Sequence, residues 1–442
     1  MSHEIDKLVR EAVFGDVNAK AAARKKIHVE ARSRGAASAS IYALYMAVGR
    51  GEMPRRFTVP AFNIRAITYD SARALFRAAM RHDVGAFIFE IARSEIGYTE
   101  QRPAEYASCV LAAAIRENFR GPVFIQGDHF QASAKKWVTD EGRKAETKAL
   151  ESLIDEALAA EFYNIDIDTS TLVDLSFQSR EEQQRANYEG TAHFTQYIRA
   201  REPKGITVSI GGEIGEVGKY NTQPDEVRAY MNGLLQRIGN QTGISKISVQ
   251  TGTSHGGVPL ADGSIAQAKI DFEVLRKTTE ICRKEYGIAG SVQHGASTLP
   301  ESVFNKFPES NAVEIHLATG FQNMVLDAPS FPEEMKREIR DFCFANAADE
   351  RKAGETDEQF VYKTRKKAIG PFKQRMWDMP DSAKQPIIAA LEEKFEFLME
   401  KLGVFGTKDI VAKYVRPNEV PEYAAASEEL TAAAVVDPNE GE

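Results

Sequence analysis

The sequence predicts a (β/α)8 barrel. Two observations carry this: eight short, nearly continuous apolar or β-branched runs lie between residues 57 and 318, and amphipathic helical segments separate them. Strands that are apolar on both faces and alternate with helices belong to a parallel sheet covered on both sides. Eight such units in about 260 residues match a closed barrel in count and length. An open, doubly wound sheet is the competing fold, but it usually has fewer strands, and no GxGxxG follows the first run here.

In chain order, residues 4–48 read as two helical stretches rich in Ala, Lys, Arg and Glu, capped by Asp16 and broken near Gly35. The eight runs follow: FTVPAFNI (57–64), AFIFEI (86–91), PVFIQGDH (122–129), FYNIDID (162–168), ITVSIGGEIG (206–215), KISVQTGTS (246–254), AGSVQHG (289–295) and AVEIHLA (312–318). Between them, DSARALFRAAMRH, ETKALESLIDEALAA and KIDFEVLRKTTEICRKEYG have helical periodicity. After residue 330 the strand pattern stops. Residues 332–346 and 383–403 read as helices, the charged stretch 348–367 as mobile, and the small, acidic tail as disordered. The expected organisation is an N-terminal helical extension (1–56), a catalytic barrel (57–325) and a C-terminal helical extension with a disordered tail (326–442).

Composition narrows the class of protein. The 442 residues carry 56 Lys+Arg against 64 Asp+Glu, a net charge of −8, and are 43% hydrophobic and 27% charged. That mixture is ordinary for a globular chain and excludes disorder throughout. The acidic balance argues against general nucleic-acid binding. No run approaches the roughly 18–20 apolar residues of a membrane span, and MSHEIDKLVREAVFGD has no apolar signal core. Three cysteines without a CxxC pair point to a reducing compartment. The expectation is a cytoplasmic enzyme with no nucleic-acid or membrane partner.

Five strand ends carry reactive side chains: Asp128-His129, Asp168, Glu213, His255 and His294. Barrel enzymes place their chemistry at the C-terminal ends of the strands. Only eight histidines occur in the chain, and three of them fall at such ends, each within two residues of a glycine (Gly127, Gly256, Gly295). Three converging imidazoles suit a catalytic Zn²⁺ with one position left open, whereas a single histidine at a strand end is more often a hydrogen-bonded structural residue. Asp128 and His129 are neighbours on an extended segment, so their side chains are expected to diverge, one to the metal and one to the substrate. Asp168 also suits a helix N-cap, since DTSTLVD is rich in capping residues. The loops GTSHGGVPL (252–260) and HGAST (294–298) offer backbone N–H groups to an anion such as phosphate, although a Gly-rich loop alone is often only a turn. No strand carries a lysine except Lys246 at its edge, which disfavours Schiff-base chemistry.

The order GDH, IDIDTS, GGEIGE, TGTSHGG and VQHGAS, preceded by VPAFNI, resembles the class II, zinc-dependent aldolases of ketose bisphosphates over roughly residues 57–325. The resemblance implies a (β/α)8 barrel, a homodimer or homotetramer, and a phosphorylated sugar as substrate. It also implies that His129, His255 and His294 bind zinc, with Asp168 and Glu213 beside the metal. Asp128 would move a proton at the C4 hydroxyl, and Glu216, on the loop after the fifth strand, is a candidate acid for the carbon. Asn63, Gly256, Gly295, Ser297 and Thr319 fall where the family binds substrate, phosphate and a monovalent cation.

The chain also departs from that pattern. HGAST replaces HGGSG, placing Ala296 at a glycine position, and HLATG (316–320) replaces an NxDTD-like run, with His316 at the Asn position and Ala318 at an Asp position. EIARSEIGYT and GDHFQASAKKW are similar to the barrel subunit that accompanies tagatose-bisphosphate aldolase. QRMW (374–377) resembles a C-terminal Arg-x-Trp of some longer class II enzymes, although Arg375 reads more readily as a surface residue. The expected function is aldol cleavage or condensation through a zinc-stabilised enediolate of dihydroxyacetone phosphate. Two other readings stand beside it: a non-catalytic barrel subunit supporting an aldolase partner, and a metal-dependent sugar-phosphate isomerase or epimerase.

Overall fold

A computed structural model describes residues 2–215, 220–252 and 270–415. The strands, in chain order, are β1 (Ala36–Ser38), β2 (Val59–Asn63), β3 (Ile88–Ala92), β4 (Gly121–Gln131), β5 (Asn164–Asp168), β6 (Ser209–Glu213), β7 (Lys246–Ser248), β8 (Ser291–Gln293) and β9 (Glu314–Leu317). Strands β2 to β9 pair in parallel with their neighbours, and β2–β9 and β4–β5 pairings complete the ring. The sheet is therefore the closed (β/α)8 barrel and not an open doubly wound sheet. Each of the eight predicted runs coincides with one barrel strand; six strands lie wholly inside their runs, β3 ends one residue beyond its run, and β4, at 11 residues, passes its run at both ends. The three cysteines are free and buried.

The N-terminal extension is richer than two helices. Helices α1 (Ser2–Phe14) and α2 (Val17–Ser33) form, and Asp16 caps α2 by accepting from Ala19 N (2.9 Å). Gly35 then turns the chain at φ +81°, β1 pairs with the start of β4, and a third helix, α3 (Tyr42–Gly49), follows. This segment crosses the N-terminal ends of the barrel strands: Ser40 Oγ donates to Thr207 O (2.6 Å), Ile41 N donates to Asn164 Oδ1 (2.9 Å), and Tyr45 Oη reaches Glu314. The helix buries Leu44, Tyr45, Ala47 and Val48 and leaves Ala43 exposed, so its apolar composition serves a plug covered on most of its surface.

The C-terminal helices Glu333–Asn346 and Asp381–Lys401 match expectation, but residues 348–367 do not form the expected mobile stretch. They hold a helix, Asp357–Thr364, started by a Thr356–Gln359 capping box, and its charges are spent on local pairs: Arg340 and Arg351 with Asp357, and Lys363 with Glu355. The helix Asp381–Lys401 packs beside β2's following helix, Thr68–Arg81, and reaches the barrel itself, with Phe395 edge-on to Phe62 (5.1 Å). The tail beyond Val415, expected to be disordered, lies outside the described residues.

The barrel interior is polar where most barrels stack branched apolar side chains. Glu90, Gln126, Asp166, Lys246 and Glu314 are all buried there. Lys246 is the first residue of β7, at the strand's edge as expected, and it is buried: its ammonium donates to Asp166 Oδ2 (2.9 Å), Gln126 Oε1 (2.8 Å) and Glu314. Burial opposes its charge, but Asp166 and Glu314 outweigh that and raise its pKa. A lysine held charged in this way is no Schiff-base nucleophile.

Gly211 of β6 makes room for the pair. A Cβ there would collide with the Asp166 carboxylate and come within 2.9 Å of Lys246 Cε. Gly211→Ala is expected to destabilise the fold by about 1–3 kcal/mol, the usual range for overpacking, read as a lower urea midpoint. An unchanged midpoint would mean that the ion pair can move aside.

Candidate active site

The site is built at the C-terminal ends of β4, β5, β6, β8 and β9. Strand β4 carries two of its residues through a local irregularity. Pairing with β5 shifts register between Gly127 and Phe130, and His129 takes φ +39°, a left-handed conformation rare for a residue with a side chain. The Phe130 ring folds over Gly127, where a Cβ would lie 2.5 Å away. As a result Asp128 and His129 do not diverge, as alternation along a regular strand predicts. Both turn into the site, with His129 Nε2 4.0 Å from Asp128 Oδ1.

His129 Nδ1 donates to Asp168 Oδ2 (3.0 Å) and lies 3.2 Å from Glu213 Oε2. Burial works against a proton on this ring, but the charges of Asp128 and Glu213 and the bonds to Asp168 and Glu213 outweigh it, so its pKa stands well above the ordinary imidazole value. Asp168 is not the helix N-cap that its neighbours suggested; it joins the turn after β5 to His129. Its Oδ1 accepts from Ser170 N (3.0 Å) and Ser170 Oγ (2.6 Å), at the start of a short 3-10 turn whose N-cap is Thr169, while Oδ2 takes His129 and Gln131 Nε2 (2.5 Å). Burial would raise its pKa, yet these donors hold it below the usual carboxylate value. Glu213 has no such set of donors; burial and the charge of Asp168 push it up to about 7.

His294, at the end of β8, accepts at Nε2 from Ser248 Oγ (2.8 Å) or donates to it, according to tautomer. Its ring lies between two others, 4.3 Å from His129 and 4.1 Å from His316. His316 is the residue that motif matching passed over as a departure. It turns Nδ1 to Asp128 Oδ1 (3.0 Å) and Glu90 Oε2 (3.1 Å), and its Nε2 donates to Glu314 Oε1 (2.6 Å). The signal was present in EIHL: residues 314 and 316 share one face of a strand, so a carboxylate and an imidazole had to point the same way.

The remaining predicted residues are placed as follows. Gly295 takes φ +66°, and Ser297 Oγ accepts from Gly320 N (3.0 Å), so the loops after β8 and β9 touch beside Thr319. Thr319 Oγ1 is 3.5 Å from the buried Arg65 guanidinium, which is itself paired with Glu95 (2.6 Å). Asn63 Nδ2 donates to the same Glu95 (2.6 Å), so its amide braces the β2 end. Arg65 and Glu95 were not singled out in the sequence. Arg375 is half exposed and pairs with Glu338, while Trp377 stacks on Tyr69 (5.8 Å). Glu216, His255 and Gly256 lie outside the described residues.

His129, Glu213 and His294 each bring one donor atom, all within 4.8 Å of one another. Two imidazoles and a carboxylate are a donor set that suits zinc and similar divalent ions. The Asp168 carboxylate on the ring of His129 is the usual support for a ligating histidine. Metal and residues fit.

The fold is a (β/α)8 barrel, and this site sets residues that could hold a divalent metal at the strand ends. Among known families, the fructose-bisphosphate aldolase class-II model matches residues 53–398, and the chain belongs to that family. No curated protein matches the chain in sequence. Similar solved structures include the fructuronate-tagaturonate epimerase UxaE of Cohnella laeviribosi in a glycerol complex, at 12% identity and TM-score 0.55, covering 79% of this chain and 82% of that one. A probable tagatose 6 phosphate kinase from Sinorhizobium meliloti 1021 is 15% identical with TM-score 0.52, covering 86% and 99%. A fructose-bisphosphate aldolase from Campylobacter jejuni is 17% identical with TM-score 0.48, covering 84% and 96%. At these identities the likeness is one of fold.

Proposed function

We propose that the chain is a divalent-metal-dependent aldolase that cleaves or forms a C–C bond in a phosphorylated ketose. The observation that carries the reading is the His129–Glu213–His294 donor set with Asp128 beside it at the C-terminal mouth of the barrel. Zn²⁺ bound by these residues, with His255 as a further ligand, would supply a Lewis acid for the substrate's ketone. Asp128 takes the proton from the C4 hydroxyl in cleavage and returns it in condensation. Asp168 fixes the ring of His129, and Glu216 is the candidate acid for the carbon. Gly256, Gly295, Ser297 and Thr319 would hold the phosphate, with a monovalent cation beside it. The assembly proposed is a homodimer or homotetramer in the cytoplasm. No helix among the described residues is long and apolar enough to cross a membrane.

EDTA treatment is expected to bring ketose bisphosphate cleavage, followed as dihydroxyacetone phosphate release, down to background, and zinc or cobalt to restore it. Chelator-resistant cleavage would sink the proposal. His316 favours a second reading, isomerisation or epimerisation at the same centre, because it sets a second proton-carrying group against Asp128. Product analysis separates the two, since only an aldolase changes the carbon count. A non-catalytic supporting subunit would have no use for stoichiometric metal.

A further inference from the structure

We propose that the centre has a second divalent-cation position, inside the first, formed by Asp128, His294 and His316. These three residues also bring one donor atom each to within 4.8 Å of one another. Asp128 belongs to this set alone, His316 also to a set with Glu90 and Glu314 directly beneath it, and His294 makes the two positions neighbours.

Three further features support a cation here. First, His316 is oriented as metal-binding histidines are: Nε2 is committed to the Glu314 carboxylate (2.6 Å), which leaves Nδ1 facing the oxygens of Asp128 and Glu90. Glu314 is anchored in turn by Lys246, Gln126 Nε2 (3.0 Å) and Tyr45, so the imidazole is fixed from below. Second, Glu90 is fully buried, and its Oε1 meets no hydrogen-bond partner. Third, four carboxylates (Glu90, Asp128, Asp166, Glu314) lie against three groups able to carry positive charge, Lys246, His316 and, at the edge beside Asp128, His129 (4.0 Å). Two carboxylate oxygens converging on one imidazole nitrogen form a point where a cation is stabilised at low dielectric and an unneutralised pair is costly. Imidazole with carboxylate selects zinc, manganese, iron or cobalt over magnesium or calcium.

The inner position has a consequence for turnover that rests on the aldolase reading. A cation on Asp128 turns the proposed base into a metal ligand, and a ligating carboxylate is a weak base. Filling the second position is therefore expected to slow cleavage, so that activity rises with the first equivalent of metal and falls with the second.

The test is metal counting on the full chain. Chelator-stripped protein is titrated with Zn²⁺, passed through a desalting column and measured by elemental analysis. The wild type is expected to retain two equivalents, His316→Asn one, and His129→Asn the one that depends on His316. A wild-type count of one overturns the proposal by itself, even where a variant fails to fold, and so does a His316→Asn count of two. That result would mean that a proton on His316, not a metal, neutralises the site. Circular dichroism of each variant in chelator verifies folding, with His316→Gln as the substitute where His316→Asn does not fold. Two equivalents bound without any aldol cleavage would overturn the aldolase reading and leave the second position standing.

Discussion

Asp128→Asn is expected to lower kcat for the wild-type's ketose phosphate by about 10²–10⁴-fold, the range for loss of a positioned acid–base group, with at least one equivalent of metal retained. The substitution keeps the size and hydrogen-bonding reach of the side chain and removes its basicity. The donor set His129–Glu213–His294 does not include Asp128, so the metal it holds should stay. KM should change little, because a base that acts in the transition state contributes to kcat more than to ground-state binding. Release of dihydroxyacetone phosphate at saturating substrate, with elemental analysis of the same sample, checks both halves. A variant within a factor of a few of wild-type kcat would remove Asp128 from its role; loss of all metal would make it a ligand of the first position as well.

The barrel was legible in the sequence because its strands are buried on both faces. FIFEI, YNIDID and VEIHL stand out as short runs whichever way their side chains point, and eight of them admit few architectures. The plug α3 was not legible. YALYMAVG is apolar on all sides and has no periodicity to mark it as a separate element, so it merged with the helices before it. The stretch 348–367 read as mobile because its charges look solvated one at a time; only in space do Arg340, Arg351 and Lys363 find Asp357 and Glu355.

In the site, residue type at strand ends located His129, His294, Asp168 and Glu213, and the structure brings all four together. The facing of Asp128 and His129 was out of reach, since a positive φ at a histidine leaves no mark in the sequence beyond the neighbouring Gly127. His316 was visible but was judged against the class II pattern, where its place belongs to Asn. Seen as one face of β9 with Glu314, it belongs to the centre.

Lys246→Met should be the most destabilising single change in the barrel, at about 3–5 kcal/mol, the cost of removing one partner from a buried ion pair. The methionine fills most of the lysine's volume, so little of the loss is cavity. What remains is electrostatic: Glu314 keeps Gln126, Tyr45 and His316 as donors, but Asp166 loses its closest cation and is left with His316 Nε2 at 3.6 Å. Asp166 Oδ1 is already buried without a hydrogen-bond partner, so this carboxylate has no reserve. Burial already pushes Asp166 up to about 6 against the pull of Lys246, and without the ammonium it should bind a proton at neutral pH. Urea unfolding of Lys246→Met, Asp166→Asn and the double variant forms a cycle that isolates the pair. The double variant is expected to be more stable than the two single losses sum to, since removing both charges leaves no unpaired ion. Additive losses would mean that the interior charges act independently. In that case Lys246 would stand as one polar side chain among several and not as the residue that lets four carboxylates share the inside of one barrel.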